Sequence, residues 1–177
     1  LKTDGTLWKW GDRYGRYVPQ DSCFPKQFGN ENNWTYIASG YLHTIAIKND
    51  GTLWGWGDNH KGQLAEFLQT STKIPVKISK DTNWRAVSCG VNFSLALRQD
   101  GTLWAWGENN NGQLGLNHND ITTSIKQIGT DSNWIAISCG SHHSLAIKSD
   151  STLWGWGLNK NNQINSEKDS MFFAPIK

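Results

Sequence analysis

The chain lacks a long apolar run. No stretch approaches the roughly 18 consecutive apolar residues of a membrane-crossing helix, so no membrane span is legible. It lacks a charge imbalance: 17 Lys and Arg stand against 15 Asp and Glu, dispersed, with no basic run of five. A nucleic-acid binder carries a basic stripe, so direct nucleic-acid binding is disfavoured. It lacks cysteine pairs at metal-binding spacing. Cys89 and Cys139 stand 50 residues apart at equivalent places, and with His43 and His143 they read as packing residues; with His142 they make no metal site, because zinc needs convergent, closely paired ligands. It lacks any acid, base or nucleophile cluster outside the repeated phrases, and a general base needs a positioned partner. No catalytic residue, metal ligand or cofactor is therefore nominated. No segment reads as a long amphipathic helix. No targeting leader is visible, which leaves localisation open.

What is present is repetition. Eight of the 11 tryptophans fall in one phrase written four times: DGTLWKWG from Asp4, DGTLWGWG from Asp50, DGTLWAWG from Asp100 and DSTLWGWG from Asp150. The steps are 46, 50 and 50 residues. NNW, TNW and SNW end at Trp34, Trp84 and Trp134, and a third phrase places Gly40, Gly90 and Gly140. The short first step comes from one loop: Gly11 to Trp34 is 23 residues, while Gly57 to Trp84 and Gly107 to Trp134 are each 27. A period near 50 marks a stacked array, solenoid or propeller. The chain opens and stops inside a repeat, since LKTDGTLW matches AIKNDGTLW from its middle and Pro175 is in register with Pro75 and Pro25. The expectation is a piece of a longer array, with further blades outside it.

Within a repeat, FSLALRQDGTLWAWGEN is two alternating runs around an Asp-Gly turn, which predicts a β-hairpin. NWRAVSCG before it and SIKQIG after it supply two more short β-runs. The spacing predicts a four-stranded antiparallel meander, with strand A from Trp84, B from Phe93, C from Leu103 and D from Ile125. Alternation puts Trp104 and Trp106 on one face of strand C. It also predicts a bulky and a small face for each sheet, stacked copy on copy with strand A innermost, and Trp56, Trp106 and Trp156 buried between copies. The turn aspartates Asp4, Asp50, Asp100 and Asp150 are expected to bond their local backbone. NWT at Asn33 and NFS at Asn92 match the glycosylation pattern but lie at strand starts.

The stretches CGSHHSLAIKSDSTLWGWGLNKNNQ and CGVNFSLALRQDGTLWAWGENNNGQLG carry a G-x-x-H-S/T step, a D-G turn, a W-G pair and a G-Q-L-G loop. On these residues the whole chain resembles the regulator of chromosome condensation repeat family, in its bacterial wording. The resemblance implies an all-β fold, a seven-bladed β-propeller of four-stranded antiparallel blades. About three and a half blades are visible: residues 1–28 form an incomplete blade, and 34–78, 84–128 and 134–177 form complete ones. Phe93 stands where His43 and His143 stand, and Ser151 replaces the turn glycine. NNQI at Asn161 and RYGRYV at Arg13 depart from the G-Q-L-G loop.

In such a meander the A–B and C–D loops share one end, and they differ from blade to blade while the B–C turns hardly change. Rigid scaffolds carry binding residues on variable loops. The candidates are Tyr14, Tyr17, Tyr41, His60, Phe67, Asn92, Asn110, His118, His142 and Lys160, with Lys80, Asp81 and Asp131 marking the opposite end. The expected function is a non-catalytic interaction propeller that binds a protein partner through these loops. The resemblance also implies two alternatives: guanine-nucleotide exchange on a small GTPase, and inhibition of a secreted enzyme such as a β-lactamase.

Overall fold

The computed structural model describes residues 1–10, 24–66, 71–166 and 170–177. Among these residues there are strands and turns and no helix. Two short strands, β1 (Trp8–Lys9) and β2 (Lys26–Gln27), pair antiparallel. Three four-stranded antiparallel sheets follow. The first holds β3 (Trp34–Ser39), β4 (His43–Lys48), β5 (Leu53–Gly57) and β6 (Thr72–Lys77). The second holds β7 (Trp84–Cys89), β8 (Phe93–Arg98), β9 (Leu103–Gly107) and β10 (Thr122–Gln127). The third holds β11 (Trp134–Cys139), β12 (His143–Lys148), β13 (Leu153–Leu158) and β14 (Met171–Ile176). Spatial order equals chain order in each sheet, so each is a meander with strands A to D. We number the partial sheet blade 1 and the others blades 2 to 4. From sheet to sheet the close approaches fall on β3, β7 and β11, which makes strand A innermost.

Backbone hydrogen bonds sort the connections into two ends. Asp58, Glu108 and Leu158 donate their N–H to the carbonyls of Leu42, Asn92 and His142 at 2.7–2.9 Å, tying each C–D loop to the A–B loop of its own blade. At the other end Trp34, Trp84 and Trp134 donate to the carbonyls of Gly5, Gly51 and Gly101 at 3.1–3.2 Å. Each D–A connection is thereby fastened to the B–C turn of the blade before it.

Strand register distributes bulk differently from the alternation of single strands. Ser94 faces Trp106, Leu95 faces Ala105 and Ala96 faces Trp104 across β8 and β9. The same pairing sets Thr44 against Trp56 and Ile45 against Gly55 in blade 2. Each face therefore combines large residues of one strand with small residues of its neighbour. The expected division into a bulky and a small face is corrected: both faces are bulky in part, and both are buried between blades. One core joins Ile45, Ile47, Leu53, Leu64 and Ile78 of blade 2 to Trp84, Val87, Ala96 and Trp106 of blade 3. The next joins Phe93, Leu95, Leu97, Leu103 and Leu114 to Trp134, Ala146 and Trp156 of blade 4. Trp106 and Trp156 are fully buried, whereas Trp56 is half-buried beside Leu7, Phe28 and Trp34. Trp56 thus departs from the expectation; the C–D loop that precedes it in the stack lies outside the described residues.

The two tryptophans of the phrase have different tasks. The second reaches across to the preceding blade, with Trp106 Nε1 donating to the Gln63 carbonyl at 2.9 Å and Trp156 Nε1 to the Gln113 carbonyl at 2.9 Å. Ser94 and Ser144 donate to the same carbonyls at 3.0 and 2.8 Å, so one backbone oxygen locks two strands of the next blade. The first tryptophan closes a local relay. Trp8, Trp54, Trp104 and Trp154 each donate Nε1 to the threonine two residues earlier at 2.8 Å, and that threonine donates to the turn aspartate at 2.6 Å.

A cation sits over each of these first rings. Lys48 Nζ lies 3.8 Å above Trp54 and 4.7 Å from Trp34, and Lys148 lies 3.9 and 4.7 Å from Trp154 and Trp134. Arg98 takes the same place over Trp104 and Trp84. A carboxylate from the D–A connection completes each clamp: Glu31 to Lys48 at 2.6 Å, Asp131 to Lys148 at 2.8 Å, and Asp81 to Arg98. Desolvated cation–π contacts are worth about 2 kcal/mol. Asp81 and Asp131 are therefore structural, and they do not serve as neutral markers of the opposite end.

The turn aspartates lie below the usual carboxylate range, held there first by the threonine side chain and then by its backbone N–H. A depressed folded value gives stability that is complete above the unfolded carboxylate value, about 4, and is lost as pH falls through the folded value. Asp50→Asn combined with Asp100→Asn should lower stability at neutral pH and remove part of the acid dependence. Urea midpoints of the two proteins measured from pH 7 downward should converge; parallel curves would separate these carboxylates from folding.

Candidate functional site

The A–B/C–D end is built in concentric rings. The innermost comprises equivalent residues Tyr41, Val91 and Ser141, strung together as Tyr41 N–H donates to the Val91 carbonyl and Val91 N–H to the Ser141 carbonyl, both at 3.2 Å. A hollow of about 390 Å³ lies against this ring and the glycines Gly40, Gly90 and Gly140 beside it. Tyr41 stands 66% exposed at its rim. The glycines make room for the residue three places on: a Cβ on Gly40, Gly90 or Gly140 would strike the ring of His43, Phe93 or His143. His43 is buried and its Nε2 meets Ser94 Oγ of the next blade at 2.9 Å. It is a packing and hydrogen-bonding residue, as the phenylalanine at the equivalent position suggests. Burial, with the neighbouring His142 second, pushes the His143 imidazole below its ordinary value.

The outer ring is the exposed turn of each C–D loop, occupied by His60, Asn110 and Lys160. Asparagine and glutamine side chains hold that loop from within. Asn59 and Asn109 accept from the N–H groups of Leu64 and Leu114 at 2.8 and 2.9 Å, and Gln63 and Gln113 accept from those of Lys61 and Asn111. The G-Q-L step is framework, and the turn beside it is free to vary. Next to each turn is a position that reads Asp58, Glu108, Leu158. His60 Nδ1 pairs with the Asp58 carboxylate. Burial alone would raise the Asp58 carboxyl, but hydrogen bonds from His60, Ser71 and Gln63 outweigh it and hold it below its ordinary value. Glu108 accepts from Asn92 at 3.0 Å and from Asn110 at 3.1 Å, which joins two of the candidates on one carboxylate.

Of the ten candidates, Tyr14, Tyr17 and Phe67 lie outside the described residues. Tyr41, His60, Asn110 and Lys160 are exposed. Asn92 and His142 are half-buried at equivalent A–B positions. His118 lies farther out, its Nδ1 accepting from Asp120 N–H at 3.2 Å. Asp58 and Glu108 were missed by sequence reasoning; the signal was the residue directly after Gly57, Gly107 and Gly157, which changes from Asp to Glu to Leu at the 50-residue step. The NFS pattern is closed by the fold, because Asn92 is bonded to Glu108 and Ser94 is fully buried. Burial pushes both described thiols up, Cys139 to about 12. Among the described residues no three His, Cys, Asp or Glu converge as a metal site.

Solved structures similar to this chain are propellers. Yeast RCC1 (Prp20) bound to Kap60 aligns with a TM-score of 0.78 and 23% identity over 98% of this chain and 45% of that one. Prp20p from Saccharomyces cerevisiae, described with its binding properties to Gsp1p and histones, aligns at 0.78 and 22% over 96% of this chain and 45% of that one. Human WBSCR16 aligns at 0.75 and 24% over 99% of this chain and 47% of that one. The chain thus spans about half the length of these relatives, whose likeness establishes the fold. No curated protein sequence matches it. Family models of the regulator of chromosome condensation (RCC1) repeat match residues 50–97 and 100–147, and in a second form 34–63, 84–113 and 134–163. Three blades of this repeat, in register and sharing one framework, place the chain in the regulator of chromosome condensation (RCC1) repeat family.

Proposed function

We propose that the chain is a non-catalytic protein-binding propeller segment that grips its partner on the A–B/C–D end. The observation that carries this is the contrast between frame and rim. The repeated tryptophans, serines, glutamines and turn aspartates are engaged within the fold, whereas the exposed turn reads His60, Asn110, Lys160 and the position beside it Asp58, Glu108, Leu158. The rim therefore mixes signs, with Asp58 and Lys61 at blade 2, Glu108 at blade 3 and Lys160 at blade 4. Such a mixed surface suits a folded protein with its own charge pattern, and it does not suit a polyphosphate backbone. Lys48, Arg98 and Lys148 are clamped between tryptophans and are withdrawn from any basic groove. The described partners of the similar yeast proteins, Kap60, Gsp1p and histones, are proteins as well.

Hot-spot anchors cost about 2 kcal/mol or more when truncated. Tyr41→Ala, His60→Ala and Lys160→Ala together should abolish capture of the partner by the full-length protein. Lys80→Ala with Gln99→Ala at the opposite end should leave capture intact, and thermal unfolding should be unchanged in both. Loss only with the second set would reverse the assignment of faces. Guanine-nucleotide exchange is the second reading, favoured by the family. It predicts accelerated release of labelled nucleotide from a small GTPase by the full-length protein, and the non-catalytic reading predicts none.

A further inference from the structure

Each blade ends in an outer strand with one edge unpaired. Three of the four prolines of the chain mark that strand: Pro25 stands directly before β2, Pro75 lies in β6 and Pro175 in β14. The equivalent residue of β10 is Ile125, because the residues that follow, Val76, Lys126 and Ile176, face Gly55, Ala105 and Gly155 of strand C. The side on which this position bonds follows from its neighbours. Ile128 N–H donates inward to the Leu103 carbonyl at 2.8 Å, and the backbone groups of successive strand residues point to alternate sides. Lys126 therefore bonds inward to strand C, and Ile125 and Gln127 turn their N–H and C=O groups outward. Proline at 75 and 175 agrees, since a position facing away from the ladder tolerates it. Proline also blunts an edge, by removing the N–H that an added strand would use. Among the described outer strands β10 keeps that N–H, and no other described group bonds to the outward N–H groups of Ile125 and Gln127.

Beside this edge the seam between blades 2 and 3 is open. A cavity of about 410 Å³ lies there, on the face where Ile125 packs, with Trp104, Glu66 and Lys80 among its walls. At the seam of blades 3 and 4 the residue equivalent to Glu66 is Leu116, which packs against the core. Lys80 and Lys126 are exposed and enter no ion pair among the described residues, whereas Asp81 is taken by Arg98. The unpaired charge beside the edge is therefore two lysines against Glu66.

We propose that β10 accepts an extended acidic segment of a partner protein as a further strand of blade 3. Ile125 and Gln127 each offer it one N–H and one C=O, in the manner of strand addition. Its residue opposite Lys126 is Asp or Glu, an opposite-charge cross-strand pair, and the residues on either side of that one turn toward the cavity. A second copy of the chain suits the place less well. Antiparallel pairing through residues 125 and 127 would set the two copies of Lys126 against each other, and like charges directly opposite are destabilising. The inference does not rest on the proposed function, since β10 lies outside the loops of the rim.

The probe is a capped, fluorescently labelled peptide of alternating valine and threonine with glutamate at its centre, titrated against the full-length protein and read by anisotropy. It should bind the native protein. Ile125→Pro gives blade 3 the proline of its neighbours and should weaken binding about tenfold or more, because a peptide carbonyl loses its donor. Lys126→Glu, a change at an exposed side chain, should reverse the preference between this peptide and one with a central lysine. N-methylation of the peptide amides that face the edge should also weaken binding to the native protein. No binding of the glutamate peptide, equal binding after Ile125→Pro, or indifference to N-methylation would overturn the inference. Dimerisation of the native protein that Ile125→Pro abolishes, with no peptide bound, would assign the edge to a second copy and overturn it as well.

Discussion

Replacing Trp106 by alanine should cost about 3–5 kcal/mol, the range for truncating a buried aromatic ring. Three losses coincide. The ring is fully buried between blades 2 and 3, and its area leaves the core that joins them. The cavity opens at an interface of two rigid sheets, which close on it poorly. The Gln63 carbonyl also loses one of its two cross-blade donors. Trp104 stands two residues away and is half-buried, its Nε1 satisfied locally by Thr102. Trp104→Ala should therefore cost clearly less, through the relay and the Arg98 clamp. Urea unfolding followed by circular dichroism measures both. Equal losses would mean that the two rings are not divided between interface and turn.

A larger contrast is expected between two glycines of the same conformation. Gly29 and Gly51 both sit at φ +74°. A Cβ on Gly29 meets nothing within 4 Å, whereas one on Gly51 would lie 2.1 Å from the Thr82 carbonyl oxygen. Gly29→Ala should cost only the left-handed penalty, about 1–2 kcal/mol. Gly51→Ala adds the collision with the next blade's backbone and should exceed about 4 kcal/mol, in the range reserved for core-scale defects. Equal destabilisation of the two variants would show that φ alone selects glycine at the turn, and that the D–A connection yields freely.

The blade count visible here, the turn positions and the innermost strand were legible because they follow from periodicity and turn chemistry, which are local. The composition of the faces was not. It depends on register between strands: Leu95 opposite Ala105 and Ser94 opposite Trp106 cannot be read from either strand alone. The cation clamps were missed for a related reason. Glu31 with Lys48, Asp81 with Arg98 and Asp131 with Lys148 recur at a 17-residue offset. The acid changes type, however, and its partner is reached only because the D–A connection folds back over the hairpin. Those cations looked dispersed in the sequence because each belongs to a different blade.

At the candidate site, loop variability pointed to the A–B/C–D end but could not rank residues within it. Asn92 and His142 look equivalent to exposed loop residues until their carbonyls are seen accepting from Glu108 and Leu158 in the adjoining C–D loop. Tyr41 keeps its exposure because the innermost ring bonds through backbone and leaves the side chain outside. The acidic pair Asp58 and Glu108 shows its role only in three dimensions, as the anchor of His60 in one blade and of Asn92 and Asn110 in the next.

The most direct test of the binding face is amide hydrogen exchange on the full-length protein, alone and with its captured partner. Protection should gather in the A–B loops at 41–42, 91–92 and 141–142 and in the C–D loops at 58–66, 108–121 and 158–165. The B–C turns at 49–52, 99–102 and 149–152 should exchange as in the free protein. Protection confined to those turns and to the D–A connections at 79–83 and 129–133 would contradict the account and place the partner on the opposite end.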